Sequence, residues 1–176
     1  MNSLKLSTTK RDPSSLISLT SLIYINQNHE LIFYDNENNP YNVYYDGTER
    51  IVVTPVYSTR IGGGIGRCPA NKTKIFSYSI TRRQAQNALR VINIGEGAIK
   101  SLGTLITGIA GWPGIAASVL LNFFGGSSIY TAQLQTFVNS GASRATIKLR
   151  GSCVNRGYMH GEPMYDYVVN KAYISY

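Results

Sequence analysis

The chain has 176 residues, enough for one domain with a substantial core, and only 15% of them are charged. Its net charge of +8 indicates an anionic partner, and its two cysteines are too few for a disulfide framework. Residues 1–15 are polar and do not form a signal peptide. The protein is therefore expected to be cytosolic, a trimmed mature form, or exported by a leaderless route; for a secreted protein we expect one of the last two, with the protein cytoplasmic before release.

The chain divides into four segments that we expect to form one compact domain. They are a polar arm (1–19), a β-meander with a Gly-rich basic loop (20–80), an apolar helical region (81–141) and C-terminal β-strands (142–176).

The first predicted elements are short β-strands. β-branched and aromatic runs occupy residues 21–25, 30–34, 41–45 and 51–58, with turn-forming residues between them. This spacing predicts a small antiparallel meander.

A glycine-rich stretch, RIGGGIGR at 60–67, follows the meander. It lacks the Lys-Ser/Thr of a P-loop, and its glycines do not have the dinucleotide-binding spacing. We interpret it as an exposed basic loop.

The middle of the chain is predicted to be helical. Thr81 and Gln84 have the spacing of a capping box, and an apolar stripe then continues at three- and four-residue steps, predicting a helix over 82–110. Glu96 and Lys100 form an i,i+4 pair on that helix. A Gly-Trp-Pro-Gly turn then separates it from a second apolar helix at 115–124, and a third segment follows at 127–138.

The chain ends in predicted strands. Residues 145–150 alternate between apolar and polar side chains, and residues 164–176 form a tyrosine-rich strand. The expected fold class is therefore α+β, with an N-terminal antiparallel β-meander, a central apolar glycine-rich helical hairpin and C-terminal β-strands.

The most informative pattern is the zoning of charge. Residues 101–143 contain no Asp, Glu, Lys, Arg or His, and basic residues flank this block on both sides. A buried core explains the apolarity of the block but not the absence of charge over three helical segments. A hairpin that enters an anionic membrane explains both, because the basic flanks remain at the lipid headgroups.

These observations predict two sets of site residues. The expected membrane contacts are Gly103, Ile106, Gly108, Gly111, Trp112, Pro113, Gly114, Leu120, Phe123 and Phe124. The expected contacts to an anionic surface are Arg60, Arg67, Arg82, Arg83, Arg90, Lys100, Arg144, Lys148 and Arg150.

The functional hypothesis is a secreted, membrane-active protein, a pore-forming toxin or bacteriocin-like protein. It is water-soluble when folded, inserts its glycine-rich helical hairpin into anionic membranes and forms homo-oligomers. The alternative is a self-assembling structural protein, such as a phage, spore or surface filament subunit, with the helices as its core. Specific nucleic-acid binding is disfavoured, because the sequence shows no recognisable module.

Enzymatic chemistry has no support in the sequence. His29 and His160 lie in turn-like segments without a partner at an informative spacing, so we predict no catalytic site, no metal, no cofactor and no small-molecule substrate. Cys68 and Cys153 are expected to form a disulfide if the protein is extracellular, and to be free buried thiols otherwise.

Overall fold

The computed structural model describes residues 31–57, 68–107 and 114–176. The strands in these ranges are β1 (Leu31–Tyr34), β2 (Pro40–Tyr45), β3 (Ile51–Pro55), β4 (Thr73–Thr81), β5 (Arg144–Met159) and β6 (Glu162–Ser175). The helices in these ranges are α1 (Arg82–Asn93), α2 (Gly97–Thr107), α3 (Gly114–Phe124) and α4 (Ser127–Asn139), which we call the helical layer. The described strands form a closed antiparallel barrel in the order β1-β2-β3-β6-β5-β4.

The predicted fold class is wrong, because the strands form one closed barrel and not a meander followed by separate C-terminal strands. Strand β1 pairs with β4, where Tyr34 lies opposite Ser77, and β3 pairs with β6, where Val52 lies opposite Val168. Strand β4 was missing from the predicted elements. An open meander exposes two unpaired edges, and these long-range pairings remove them.

The predicted central hairpin is also wrong, because the described chain contains four helices between β4 and β5. The helix expected over 82–110 is interrupted after Asn93, where Gly95 and Gly97 have φ angles of 87° and 83°. Glycine adopts this left-handed backbone without steric cost, so the chain turns there although the apolar spacing continues. The predicted strand at 21–25 and the loop at 60–67 lie outside the described residues.

The capping box at the start of α1 is confirmed. The Thr81 hydroxyl accepts from the Gln84 amide at 3.2 Å, and the Gln84 side-chain oxygen accepts from the Thr81 amide at 2.8 Å. These two bonds satisfy amide groups that have no partner inside the helix, so they fix the point where β4 ends and α1 begins.

Aromatic rings fill part of the barrel interior. Phe76 on β4 lies between Tyr41 and Tyr167, with ring centroids 4.8 Å and 5.3 Å away. A Cβ atom on Gly151 would lie 3.1 Å from a ring carbon of Phe76 and 3.1 Å from the Cβ of Tyr167, so these two side chains occupy the space that a side chain would need. Gly151 thus permits close packing of the rings against β5.

The helical layer packs on the barrel through both apolar and polar contacts. The Gln133 side chain on α4 accepts from the amide of Ile174 on β6 at 2.8 Å, and Phe137 packs on Tyr176 with ring centroids 5.6 Å apart. Inside the layer, the buried hydroxyls of Ser101 and Tyr130 are hydrogen-bonded at 3.1 Å. Burial raises the pKa of Tyr130, and the bond to Ser101 offsets only part of that rise.

A disulfide joins Cys68 to Cys153, which are 85 positions apart in sequence and have Cα atoms 6.0 Å apart. It ties the segment before β4 to the middle of β5. The two backbones are also hydrogen-bonded next to the bridge, where the Cys153 amide donates to the Lys72 carbonyl at 2.8 Å.

Candidate functional site

The helical layer exposes several large apolar side chains. Ile94, Ile99, Ile115 and Ile129 are 63%, 43%, 60% and 48% exposed. Single exposed apolar side chains are ordinary on protein surfaces, but a group of them marks an interaction surface. Their relative positions therefore decide whether they form a site.

Contacts between the helices bring these isoleucines to neighbouring positions. The Ile99 side chain lies 3.9 Å from the position of a Cβ on Gly114, the residue before Ile115. A shallow groove lined by Ile92, Ala98 and Ser128 brings the α1–α2 junction beside the start of α4, where Ile129 lies. Ile94 follows α1, and Ile99, Ile115 and Ile129 lie near the starts of α2, α3 and α4; we call these four residues the isoleucine surface.

Most of the predicted membrane contacts that the structure describes lie outside the isoleucine surface. In the folded protein, Gly103, Ile106, Leu120 and Phe124 are buried, Phe123 is half-buried and Gly114 is exposed. Gly108, Gly111, Trp112 and Pro113 lie outside the described residues. Within the part of the chain that the structure describes, no heavy atom lies within 4 Å of a Cβ placed on Gly103, apart from its chain neighbours and its own helix.

None of the described helices alone has the length and apolarity to cross a membrane. Helices α3 and α4 meet the length and composition criteria only together, as a pair bent by 76°. The bend lies at Gly125 and Gly126, whose φ angles are 94° and 102°.

A second surface is basic. Arg144, Lys148 and Arg150 on β5 alternate with the buried residues Ala145, Ile147 and Leu149, and therefore point outward from the barrel. Lys171 on β6 lies directly opposite Arg150 and also faces outward. We call these four cations the basic wall; in the described residues none of them forms an ion pair with a carboxylate.

The side chains around the basic wall are polar or aromatic. Lys148 has Tyr173 opposite on β6 and Ser77 opposite on β4, and Tyr34 of β1 lies opposite Ser77. The Lys171 ammonium lies 5.9 Å from the centre of the Tyr173 ring. No Asp or Glu occurs in the wall's described sequence, residues 73–81, 144–152 and 171–175.

The remaining predicted cations are spread over other elements. Arg82 is half-buried and Arg83 exposed in the first turn of α1, and Arg90 is exposed at the end of that helix. Lys100 on α2 pairs with Glu96 at 2.6 Å, which confirms the predicted i,i+4 pair. Arg60 and Arg67 lie outside the described residues.

An ion pair with a buried carboxylate joins the residue after β1 to the start of β4. The Asp35 side chain is fully buried and accepts from Lys74 at 2.5 Å, and Lys74 also donates to the Tyr41 hydroxyl at 3.0 Å. Burial acts to raise the pKa of Asp35, but hydrogen bonds from Lys74 and Asn39 outweigh it and lower that pKa to about 2. Burial acts to lower the pKa of Lys74, but Asp35 and Tyr41 raise it overall. Both groups therefore stay ionised near neutral pH, which suits a structural pair and not an acid–base catalyst.

A second paired cluster surrounds Arg156. Its guanidinium donates to Asp46 at 2.9 Å, to Asp166 at 3.1 Å and to the Tyr44 hydroxyl at 3.4 Å. A register shift between β5 and β6 at this position turns Arg156 toward the end of β2. The cluster holds the β5–β6 hairpin against a strand that is 110 residues away in sequence.

The described histidine, cysteine and carboxylate side chains are the candidates for a metal site or a catalytic nucleophile. No three His, Cys, Asp or Glu side chains in the described ranges are grouped so that they could hold a metal ion. Cys68 and Cys153 are joined to each other, so neither acts as a free thiol in this state. His160 is exposed in the β5–β6 turn, and His29 lies outside the described residues.

No protein-family model, curated protein or solved structure matches the chain. The assignment of function therefore depends on the surfaces of this chain alone.

Sequence reasoning missed three residues of the basic wall and its surroundings: Lys171, Tyr173 and Tyr34. Lys171 and Tyr173 alternate with the buried residues Ala172 and Ile174, which is a signal visible in the sequence. The position of Tyr34 beside them was not visible, because it depends on the long-range pairing of β1 with β4.

Proposed function

We propose that the protein is a membrane-active, pore-forming protein of the toxin or bacteriocin type. It is folded in water, binds anionic membranes through exposed side chains, and then inserts part of its helical layer and forms homo-oligomers. The observation that carries the proposal is the isoleucine surface: Ile115 and Ile129 lie in the block 101–143, which contains no charged side chain, and Ile94 and Ile99 lie just before it.

Burial of the isoleucine surface in the lipid interface is energetically sufficient for binding. Fully burying an isoleucine contributes about 1.5–3 kcal/mol, and these side chains are about half exposed, so each contributes roughly 1 kcal/mol. Each lysine or arginine near an anionic surface contributes about 1 kcal/mol more. Together these contributions reach the range of reversible micromolar to millimolar binding.

Insertion requires the helical layer to leave the barrel. Buried residues such as Ile106, Leu120 and Phe124 exchange protein contacts for lipid contacts in this step, so their apolar environment is retained. The glycines between α3 and α4 already hold that pair in a bent arrangement, which a shallow or reversing hairpin also requires. No catalytic step is part of this proposal.

An oxidising compartment fits the proposal. Disulfides persist in extracellular and periplasmic environments and are rare in the cytosol, so the Cys68–Cys153 bridge supports a secreted protein.

Dye release tests the proposal. The oxidised full chain is added to vesicles of phosphatidylglycerol and phosphatidylcholine, or of phosphatidylcholine alone, loaded with a self-quenching dye. We expect release from the anionic vesicles only. The variant I94S/I115S should lower vesicle binding roughly 25-fold, since each serine forfeits about 1 kcal/mol of burial.

The matched control is Tyr57→Ser, because Tyr57 is 74% exposed but lies after β3 and outside the isoleucine surface. It should release dye as the unmodified protein does. Absence of release by the unmodified protein, or full release by I94S/I115S with its circular dichroism intact, would falsify the proposal.

A different surface favours the second candidate, a self-assembling structural subunit. The β5–β6 hairpin exposes Val154, Tyr158 and Met159 near its turn, and such a patch suits contact with another copy. Sedimentation velocity and electron microscopy of the protein without lipid test this candidate. Ordered filaments that disappear in Y158S/M159S, together with an absence of dye release, would favour it over the membrane proposal.

A further inference from the structure

We propose that the basic wall is the surface that first docks the folded protein on an anionic bilayer, before any helix leaves the barrel. This inference rests on the proposed function, since it names the contact by which that function starts. The occupant of the wall is thus a layer of lipid phosphates. The four cations are Arg144, Lys148, Arg150 and Lys171, none of them paired with a described carboxylate.

The arrangement of the wall is costly unless an anion covers it. Arg150 and Lys171 lie directly opposite each other on neighbouring strands, a position at which like charges destabilise a sheet. Lys148 and Arg150 are two residues apart on one face, roughly 6.7 Å along the strand. Anionic headgroups offset this repulsion, and they carry charge at a density that can face all four cations at once.

The remaining side chains of the wall suit a lipid interface. Tyr34 and Tyr173 lie in one row across the sheet with Ser77 and Lys148 between them. Tyrosine, lysine and arginine are the side chains that concentrate at headgroup depth, where a ring meets the apolar boundary and its hydroxyl meets water. The large exposed aliphatic side chains of the described chain lie off the wall, so the wall docks by charge and does not insert.

Two observations favour a membrane over a nucleic acid. The disulfide indicates an oxidising compartment, where lipid surfaces are more available than nucleic acids. The wall also adjoins the helical layer, because Arg144 lies opposite Thr81 and the Arg82 amide donates to the Ser143 carbonyl at 2.9 Å. Docking on the wall therefore brings the helices next to the same bilayer.

The test is sedimentation of the oxidised full chain with vesicles containing 30% phosphatidylglycerol, at salt concentrations from 50 to 500 mM. The variant is K148Q/R150Q, which keeps polar side chains of similar length on the strand. We expect its vesicle affinity to fall about 25-fold, because each cation near the surface contributes about fivefold. Its thermal midpoint should stay the same or rise by about 1 °C, because Lys171 no longer faces a like charge.

The matched control is R50Q/K72Q, which removes two exposed cations that lie outside the wall. It has the same change in net charge and should lose less than threefold in affinity. Equal losses in both variants would mean that net charge alone attracts the protein, and the inference would be overturned. Undiminished binding by K148Q/R150Q would overturn it as well.

Failure of this inference is distinguishable from failure of the proposed function. If the unmodified protein and K148Q/R150Q bind vesicles and release dye equally, the assignment of docking to the basic wall is wrong, while the proposed membrane function is supported. If the unmodified protein sediments with vesicles and K148Q/R150Q does not, but neither releases dye, docking is supported and pore formation is not.

A single-stranded oligonucleotide, dT20, is titrated in parallel. Binding to dT20 that is tighter than to vesicles, and lost in K148Q/R150Q, would replace the lipid by a nucleic acid and overturn the inference.

Discussion

Two charged regions of the barrel differ in what surrounds each charge. Lys74 and Arg156 face the carboxylates of Asp35, Asp46 and Asp166, and their bonds connect distant strands. The basic wall, on β5 and β6, has hydroxyl and aromatic neighbours and a pair of like charges opposite each other. The comparison shows that the surroundings of a charged side chain, and not the number of charges in a region, indicate whether it stabilises the fold. Paired charges stabilise this fold, whereas the facing cations of the wall repel each other.

The largest expected effect comes from breaking the buried pair. Lys74→Met leaves the Asp35 carboxylate buried without its cation, which should lower the free energy of unfolding by about 3 kcal/mol. Urea unfolding followed by tryptophan fluorescence and circular dichroism measures this. Lys72→Met, at an exposed neighbouring position, should stay within about 0.5 kcal/mol of the unmodified protein. Similar losses in both variants would contradict the assignment of a structural role to Lys74.

Acid should weaken the same pair without any substitution. The pKa of Asp35 is about 2 in the folded state and 3.8 when unperturbed, so its contribution to stability is complete above pH 4. It is lost as the pH falls from about 4 to 2, and the loss should be about 2 kcal/mol. Urea midpoints at pH 7, 4 and 2 measure it. Asp35→Asn should flatten this dependence, and an equally steep profile in that variant would assign the acid sensitivity to other carboxylates.

A conservative substitution sharpens the comparison further. Arg156→Lys keeps the charge but cannot reach Asp46, Asp166 and Tyr44 from two separate nitrogens, so it should cost about 1–2 kcal/mol. Arg150→Lys on the basic wall loses no such bonds and should change stability by less than about 0.5 kcal/mol. Thermal unfolding of the two variants side by side gives the difference, and equal midpoints would argue against a bridging role for Arg156.

The smallest expected effect has the opposite sign. Arg150→Gln removes the like charge facing Lys171 and should stabilise the protein by a few tenths of a kcal/mol. Arg144→Gln lies opposite Thr81 and should have no such effect. Calorimetry at low salt resolves the two, because screening weakens the repulsion at high salt. A destabilised Arg150→Gln variant would show that this arginine supports the fold.

Local features of the sequence predicted several elements correctly. The capping box at Thr81 and the pair of Glu96 with Lys100 depend on residues three and four positions apart, and both are present. Much of β2, β3, β5 and β6, and the helices α3 and α4, also follow from local alternation or apolar spacing.

Closure of the barrel was not predictable in the same way. It depends on β1 meeting β4 and β3 meeting β6, and such pairings leave no pattern in either strand alone. The helix break at Gly95 was hidden by an apolar stripe that continues across it. Likewise, the sequence shows the cations of the wall, but it does not show that they lack carboxylate partners while Lys74 and Arg156 have them. That distinction depends on the register of the strands.

The Cys68–Cys153 disulfide has a consequence for proteolysis. The chain between the two cysteines contains β4, the whole helical layer and the first half of β5, so the bridge closes a covalent ring around them. A protease that cuts this ring once produces two fragments that stay joined through sulfur. Such a nick is silent on a gel without reductant and gives two bands after a thiol is added. A chain cleaved within the helical layer thus remains one covalent molecule. The two fragments lose their covalent link only when the disulfide is reduced.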